Sequence, residues 1–328
     1  MPSVKANMWA GDRYVQGHIY ALENWAIKQL YEEYRRAYYS MSATLAQAND
    51  QYRFGSNEKW SASDPTFRQR TEYLMGQISM EMGRLTSNTA EITLDAAMQA
   101  FYSSYAGKNW VASMAAGDRL KMPILPRELV QAQILAPYEG GTFIDRFYAN
   151  RGGFEDGLRR SLVQSQILGE GIDKASKRIA EELGINLSAR GAVPGRRAMS
   201  NAARVEMIAR TEIIRASNNA AQVVMENNRD VLDGWYLGLA YDDRTCDICV
   251  RANANDRVYK IGSGPQPPLH PNCRCTPVPV VSDSDIRDKI VGRPPTFNEW
   301  ASSNGTLAQY GRWLTTYTKR SESPPKKQ

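Results

Sequence analysis

The chain has 328 residues, with 41 Lys+Arg against 35 Asp+Glu for a formal net charge of +6, which suits roughly two domains with a core that needs no covalent staples. Its 23% charged and 42% hydrophobic residues are ordinary for a globular protein, and the mild positive charge excludes a histone-like polycation while permitting a nucleic-acid neighbour. No run of about 18 apolar residues exists, which excludes a transmembrane helix. The opening "MPSVKANMWAGDRY" lacks the apolar stretch of a secretory signal, so we expect assembly in a cytosol with no membrane partner. In that compartment clustered cysteines more often mean metal or redox chemistry than a disulfide framework.

From Asp12 to about Ala48 the sequence predicts one long helix without proline. Tyr20, Ile27, Tyr31 and Tyr38, flanked by Leu30 and Tyr34, form a stripe at helical spacing. With Arg35 and Arg36 nearby the stripe has two readings, base stacking on nucleic acid or packing against other helices with tyrosine hydroxyls at the rim; we favour packing. "GSNEKWSASDPT" reads as a loop, and Asp64-Pro65 supplies the start of a second helix running to about Tyr105. "KMPILPREL" (121–129) and "LAPYEGGTF" (135–143) break the pattern.

From Phe154 two short helices are expected, joined near residues 169–171, with Gly184 as a C-terminal cap. A basic Gly/Pro loop, "SARGAVPGRR", precedes a helix from Ser200 to about Asn228, on which Val205, Ile208, Ile213, Ala216 and Ala220 share a face. After Asp233-Gly234 the segments "WYLGLAY" (235–241), "DRVYKI" (256–261) and "TPVPVV" (276–281) read as short strands, with Trp235 in the core. The end carries one or two short helices and a basic tail. The fold class expected is α+β, predominantly α-helical: an N-terminal helical region (1–150), a helix plus small β-element with a Cys/His cluster (151–285), and C-terminal helices with a tail (286–328).

The chemistry concentrates in that β-element. All four cysteines and one of two histidines follow the spacing Cys246-x2-Cys249-x20-His270-x2-Cys273-x-Cys275. A zinc ribbon or knuckle needs two close pairs of soft ligands brought together by a fold-back of about 15–20 residues. The C-x-x-C supplies one pair. Pro271-Asn272 suits the centre of a β-turn whose ends are His270 and Cys273. Cys275, two residues on, shares a face with Cys273 if the chain is extended, and so competes with His270 for the fourth place. A structural zinc is one reading; reduced thiols without metal and one or two disulfides are the others. A catalytic zinc is disfavoured because these ligands already close the site. A nuclease would need a further histidine, and only His18 is left. A thioredoxin-like site would want its C-x-x-C at a helix N-terminus, whereas this one is expected after a strand and before a charged loop.

"MIARTEIIRASNNAAQ" (207–222), "DDRTCDICVRANANDRVYKIGSG" (242–264) and "PPLHPNCRC" (267–275) resemble, in order and spacing, the Mu F-like family of minor head, or head-morphogenesis, proteins of tailed bacteriophages. The resemblance covers roughly 154–281. It implies a virion protein at the portal vertex or capsid interior, present in the host cytoplasm during assembly, with portal, major capsid or scaffold proteins as partners. It would act in head morphogenesis, DNA packaging or DNA exit, and it would not be an enzyme. The rivals are a metal-dependent nuclease and a DNA-binding module.

Within the family's helix motif, Arg210, Thr211 and Glu212 read as a structural polar motif. Two apart on a helix, Arg210 and Glu212 cannot pair with each other. Each is instead expected to bond the β-element that follows, Glu212 through an arginine such as Arg244 or Arg274. Non-specific DNA contact would fall to Arg190, Arg196 and Arg197 of the basic loop and to Lys319, Arg320, Lys326 and Lys327 of the tail.

Overall fold

The structure is a computed structural model that describes residues 4–51, 66–138, 140–168, 170, 172–185, 200–240, 245–281 and 294–303. Helix accounts for 74% of these residues and the sheet has two strands, which is the expected α+β, predominantly helical class. The elements among the described residues are α1 (Val4–Gln51), α2 (Phe67–Ala116), a 3-10 turn (Gly117–Arg119), α3 (Arg127–Leu135), α4 (Phe143–Ile167), α5 (Ile172–Leu183), α6 (Asn201–Asn227), β1 (Gly234–Gly238), α7 (Asp247–Asn253), β2 (Thr276–Val280) and α8 (Phe297–Ser303). They form two compact units, each drawn from separate stretches of chain: residues 1–25, 93–136 and 209–328 in the first, 26–92 and 137–208 in the second.

In the first unit the N-terminal part of α1 packs against the C-terminal part of α2. A Cβ at Gly107 would come within 2.5 Å of Val15 Cγ2, so glycine is what lets the two helices approach so closely here. Ser104 Oγ donates to the carbonyl of Ser217 at 2.8 Å and brings α6 alongside α2. Asn228, fully buried, ends α6 by donating to Val224 O at 2.8 Å and accepting the Lys121 N–H at 2.6 Å. The expected α6 face is the buried one in both units: Val205 and Ile208 in the second, Ile213, Ala216 and Ala220 in the first.

In the second unit the rest of α1 lies against the first part of α2, with Asn88 donating to Glu33 at 2.8 Å and Ser40 to Glu81 at 3.1 Å. Tyr31 donates to Glu206 at 2.7 Å, and Tyr34, almost fully buried, donates to Asn201. These hydroxyls at the ends of packed rings are what helix packing, rather than base stacking, asks of the α1 tyrosines. The α4–α5 hairpin is held by Ser161 Oγ donating to Glu182 at 2.7 Å, and α5 ends at Gly184 with φ +71°, the left-handed cap expected there.

Several boundaries differ from the sequence reading, each for a local reason. The second long helix runs on to Ala116. The break at 121–129 stops at Pro126, and α3 begins at once with Glu128 in its first turn. The helix expected from Phe154 begins eleven residues earlier, at Phe143. There Thr142 and Asp145 form a reciprocal capping box: Asp145 N–H donates to Thr142 Oγ1 at 3.1 Å, and Thr142 N–H to Asp145 Oδ2 at 2.8 Å. Thr296 and Glu299 start α8 in the same way.

The sheet is smaller than expected. β1 and β2 pair antiparallel with Trp235 opposite Pro279 and Leu237 opposite Pro277. "DRVYKI" is not a strand but one bridge, Tyr259 to Trp235. Asn255 and Asp256 on one side and Gly262 on the other sit at φ of 59°, 60° and 82°, which limits extended chain to a few residues between turns. Pro277 and Pro279 alternate with Thr276, Val278 and Val280, so their missing N–H groups lie on the outer edge of β2. Trp235 is fully buried, donates to Ser263 O at 3.1 Å and packs on Tyr259 with ring centroids 5.2 Å apart. No helix among the described residues is long and apolar enough to cross a membrane.

Candidate metal centre

All five predicted donors meet in the first unit. Cys246 is the N-cap of α7 and Cys249 lies in its first turn, so the C-x-x-C does sit at a helix N-terminus, contrary to the charged loop expected. The seven residues of α7 follow the two-stranded antiparallel sheet, which is not the βαβ setting of a thioredoxin-like site. His270 and Cys273 end the predicted β-turn: Cys273 N–H donates to His270 O at 3.0 Å. Asn272 has φ +61°, the left-handed conformation that a type II turn requires at its third position after a proline.

His270 Nε2 lies 3.2 Å from both Cys246 Sγ and Cys249 Sγ, and Cys249 Sγ lies 3.8 Å from Cys273 Sγ. The donors form two overlapping triads, Cys246/Cys249/His270 and Cys249/Cys273/Cys275, within each of which the ligand atoms lie within 4.8 Å of one another. On the other side of the imidazole, Nδ1 is 2.8 Å from Pro271 O. A carbonyl oxygen only accepts, so Nδ1 carries the proton and Nε2 turns its lone pair toward the sulfurs.

Electrostatics divide the thiols. The backbone amide of Cys249, and that of Ile248 after it, help to pull the Cys246 thiol below its ordinary value. Cys273 is also lowered, first by the hydrogen bond it shares with Cys275, which in turn is raised. Burial raises Cys249. No disulfide joins any of the four cysteines. A set of three or four sulfurs and one pinned imidazole can hold a soft or borderline divalent ion.

The closing turn is bonded to the three longest helices of its unit. From α6, Thr211 Oγ1 accepts the Asn272 N–H at 3.0 Å and Asn218 Nδ2 donates to Cys275 O at 3.0 Å. From α1, Tyr20 donates to Arg274 O at 2.8 Å, and the Arg274 guanidinium lies 4.3 Å from the Tyr20 ring centroid. Gln16 of α1 and Lys108 of α2 both donate to Thr276 Oγ1 at 2.8 Å. Lys108, 1% exposed, also donates to Pro277 O at 2.9 Å and is ion-paired with Asp12.

Each residue of the α6 polar motif is engaged in the structure. Arg210 pairs with Glu23 of α1. Glu212, 1% exposed, pairs with Arg215 Nε of its own helix at 2.8 Å, and Arg215 reaches on to the carbonyl of Ile134. Thr211 ties the helix to the β-element through Asn272. An i,i+3 pair was the available signal for Glu212 and Arg215. Nothing local marks Gln16, Tyr20 and Lys108 as partners of residues 274–277, more than 160 residues away. The other histidine, His18, packs edge-on to Tyr14 with centroids 4.5 Å apart, and burial lowers its basicity. Arg244 and the DNA-contact candidates Arg190, Arg196, Arg197, Lys319, Arg320, Lys326 and Lys327 lie outside the described residues.

Residues 156–278 match the family model described as Phage Mu protein F like protein, a span that includes the α6 motif and all five donors. No match was found among curated proteins or among solved structures. Over residues 156–278 the chain is therefore similar to the Mu F-like phage head proteins.

Proposed function

We propose that the protein is a minor head protein: a virion-associated structural and assembly component, working without turnover at the portal vertex or capsid interior in head morphogenesis, DNA packaging or DNA exit. Its partners on this reading are portal, major capsid or scaffold proteins. The observation that carries it is the family match over residues 156–278. The use to which the fold puts the motif within that span supports it: Arg210, Thr211 and Glu212 are engaged in bonds between structural elements. A group kept for acid–base work would need to meet a substrate, whereas Glu212 is buried against Arg215.

Locating the chain in a reconstruction of the assembled particle tests the reading directly. Density at the portal vertex or inner capsid wall is expected; a position on the tail fibres or outside the shell would overturn it. The nuclease alternative predicts that the purified chain cuts plasmid DNA with a divalent metal and that Glu212→Gln or His270→Ala abolishes cutting. We expect intact plasmid in every arm.

A further inference from the structure

We propose that Cys246, Cys249, His270 and Cys273 hold a single zinc ion, and that this ion rivets α7 to the strap of residues 270–277 by which α1, α2 and α6 of the same unit are joined to the β-element. Cys275, within 4.8 Å of Cys249 and Cys273 but outside the triad that contains His270, leads the strap into β2.

The donor set and its spacing carry the first part. With zinc–sulfur bonds of about 2.3 Å, two thiolates of a tetrahedral site stand about 3.8 Å apart, the separation of Cys249 Sγ and Cys273 Sγ, 3.8 Å. His270 Nε2 faces Cys246 and Cys249 at 3.2 Å, slightly inside the edge expected for a nitrogen–sulfur pair, so a small opening admits an ion. Each pair of ligands is built by a separate local device, the first turn of α7 for the cysteines and the β-turn for His270 and Cys273. The bond from His270 to Pro271 O is the outer-shell contact that fixes a metal-binding imidazole. On binding, the three thiols release their protons and the neutral imidazole releases none.

The inverted burial of α7 carries the second part. A helix of this length has little stability of its own, and this one exposes its aliphatic residues, Ile248 at 49% and Val250 at 51%, while burying Cys249 and Asn253. Hydrogen bonds from Asn253 to Leu237 O and from Tyr259 to Ala252 O, both 2.7 Å, hold the last turn of α7 to the β-element, whereas its first turn carries the two cysteines that face the strap. Metal–thiolate bonds from Cys246 and Cys249 would tie that first turn to a strap already held by Thr211, Asn218, Tyr20, Gln16 and Lys108.

The full-length chain, purified without added metal, should contain about one zinc per molecule. Exchange with cobalt(II) should give sulfur-to-cobalt charge transfer together with the visible bands of a tetrahedral site bearing three thiolates and one nitrogen. The cobalt bands should persist in Cys275→Ser and be lost in His270→Ala and Cys249→Ser. Stripping the wild-type chain with a chelator should speed amide exchange in α7 and at Asn272, and zinc should restore protection; this arm uses no variant and so does not depend on any mutant folding. A folded wild-type chain that takes up neither metal, with all thiols titrating or with disulfides formed, overturns the proposal. Loss of the cobalt bands in Cys275→Ser but not in His270→Ala overturns the ligand set. Unchanged amide exchange after stripping overturns the riveting role.

Discussion

The backbone N–H of Asn272 donates to the Thr211 hydroxyl at 3.0 Å. Through this bond the middle residue of the α6 motif supports the turn that presents His270 and Cys273 to the two cysteines of α7. Removing the acceptor leaves a half-buried amide unsatisfied, at a cost of about 1–2 kcal/mol. Thr211→Val should lower unfolding stability by about that much, and Thr211→Ser should recover most of it. Chemical denaturation of the three proteins side by side checks the ranking.

Lys108 is a buried cation with three acceptors, Asp12, Thr276 Oγ1 and Pro277 O. Breaking a buried pair costs about 3–5 kcal/mol, because the partner is left charged and alone, while replacing both members by apolar groups costs much less. Lys108→Met should therefore destabilise the protein severely, and Asp12→Leu added to it should restore part of the loss. A double-mutant cycle by urea unfolding measures the coupling; strict additivity would show that the two side chains do not interact.

Gly107 sits where a Cβ would press to 2.5 and 2.8 Å on the two methyls of Val15. Gly107→Ala gains helix propensity but must push α1 and α2 apart, and overpacking of this kind costs about 1–3 kcal/mol. We expect a net loss of thermal stability that Val15→Ala relieves when combined with it. A rise in melting temperature for the single variant would contradict the close approach.

Glu170 accepts from Arg178 Nε at 2.8 Å and Nη2 at 2.9 Å, and this pairing is the first cause that lowers its carboxyl from 4.5 to about 2. A carboxyl lowered on folding contributes stability that is present above its unfolded value. That contribution is lost as pH falls from 4.5 toward about 2. The pair lies half-buried at the surface, so the effect on stability is small and screened by salt. Carbon-detected NMR of the glutamate carboxyls should show Glu170 titrating last in acid, and Arg178→Gln should return it toward 4.5.

Much of the fold is legible in the chain because its signals act over a few residues. The apolar period of α6, the left-handed Gly184 and the Pro271-Asn272 turn are decided by contacts within one or two helical turns, and the structure has each in its place. The Cys246-x2-Cys249 and His270-x2-Cys273 pairs belong to the same class, since each is closed by its own turn. The capping box Thr142/Asp145 was equally readable and would have placed the start of α4 correctly. The partners were not readable. Lys108 and Asp12 resemble any charges on the solvated face of a long helix until α1, α2 and β2 converge on them and burial makes their pairing obligatory. "DRVYKI" has strand composition yet forms a single bridge, because pairing needs a neighbour in register and the flanking left-handed residues leave room for only one. Local sequence determined which pieces form; which residue each piece must satisfy was decided only when the helices closed over it and took water away.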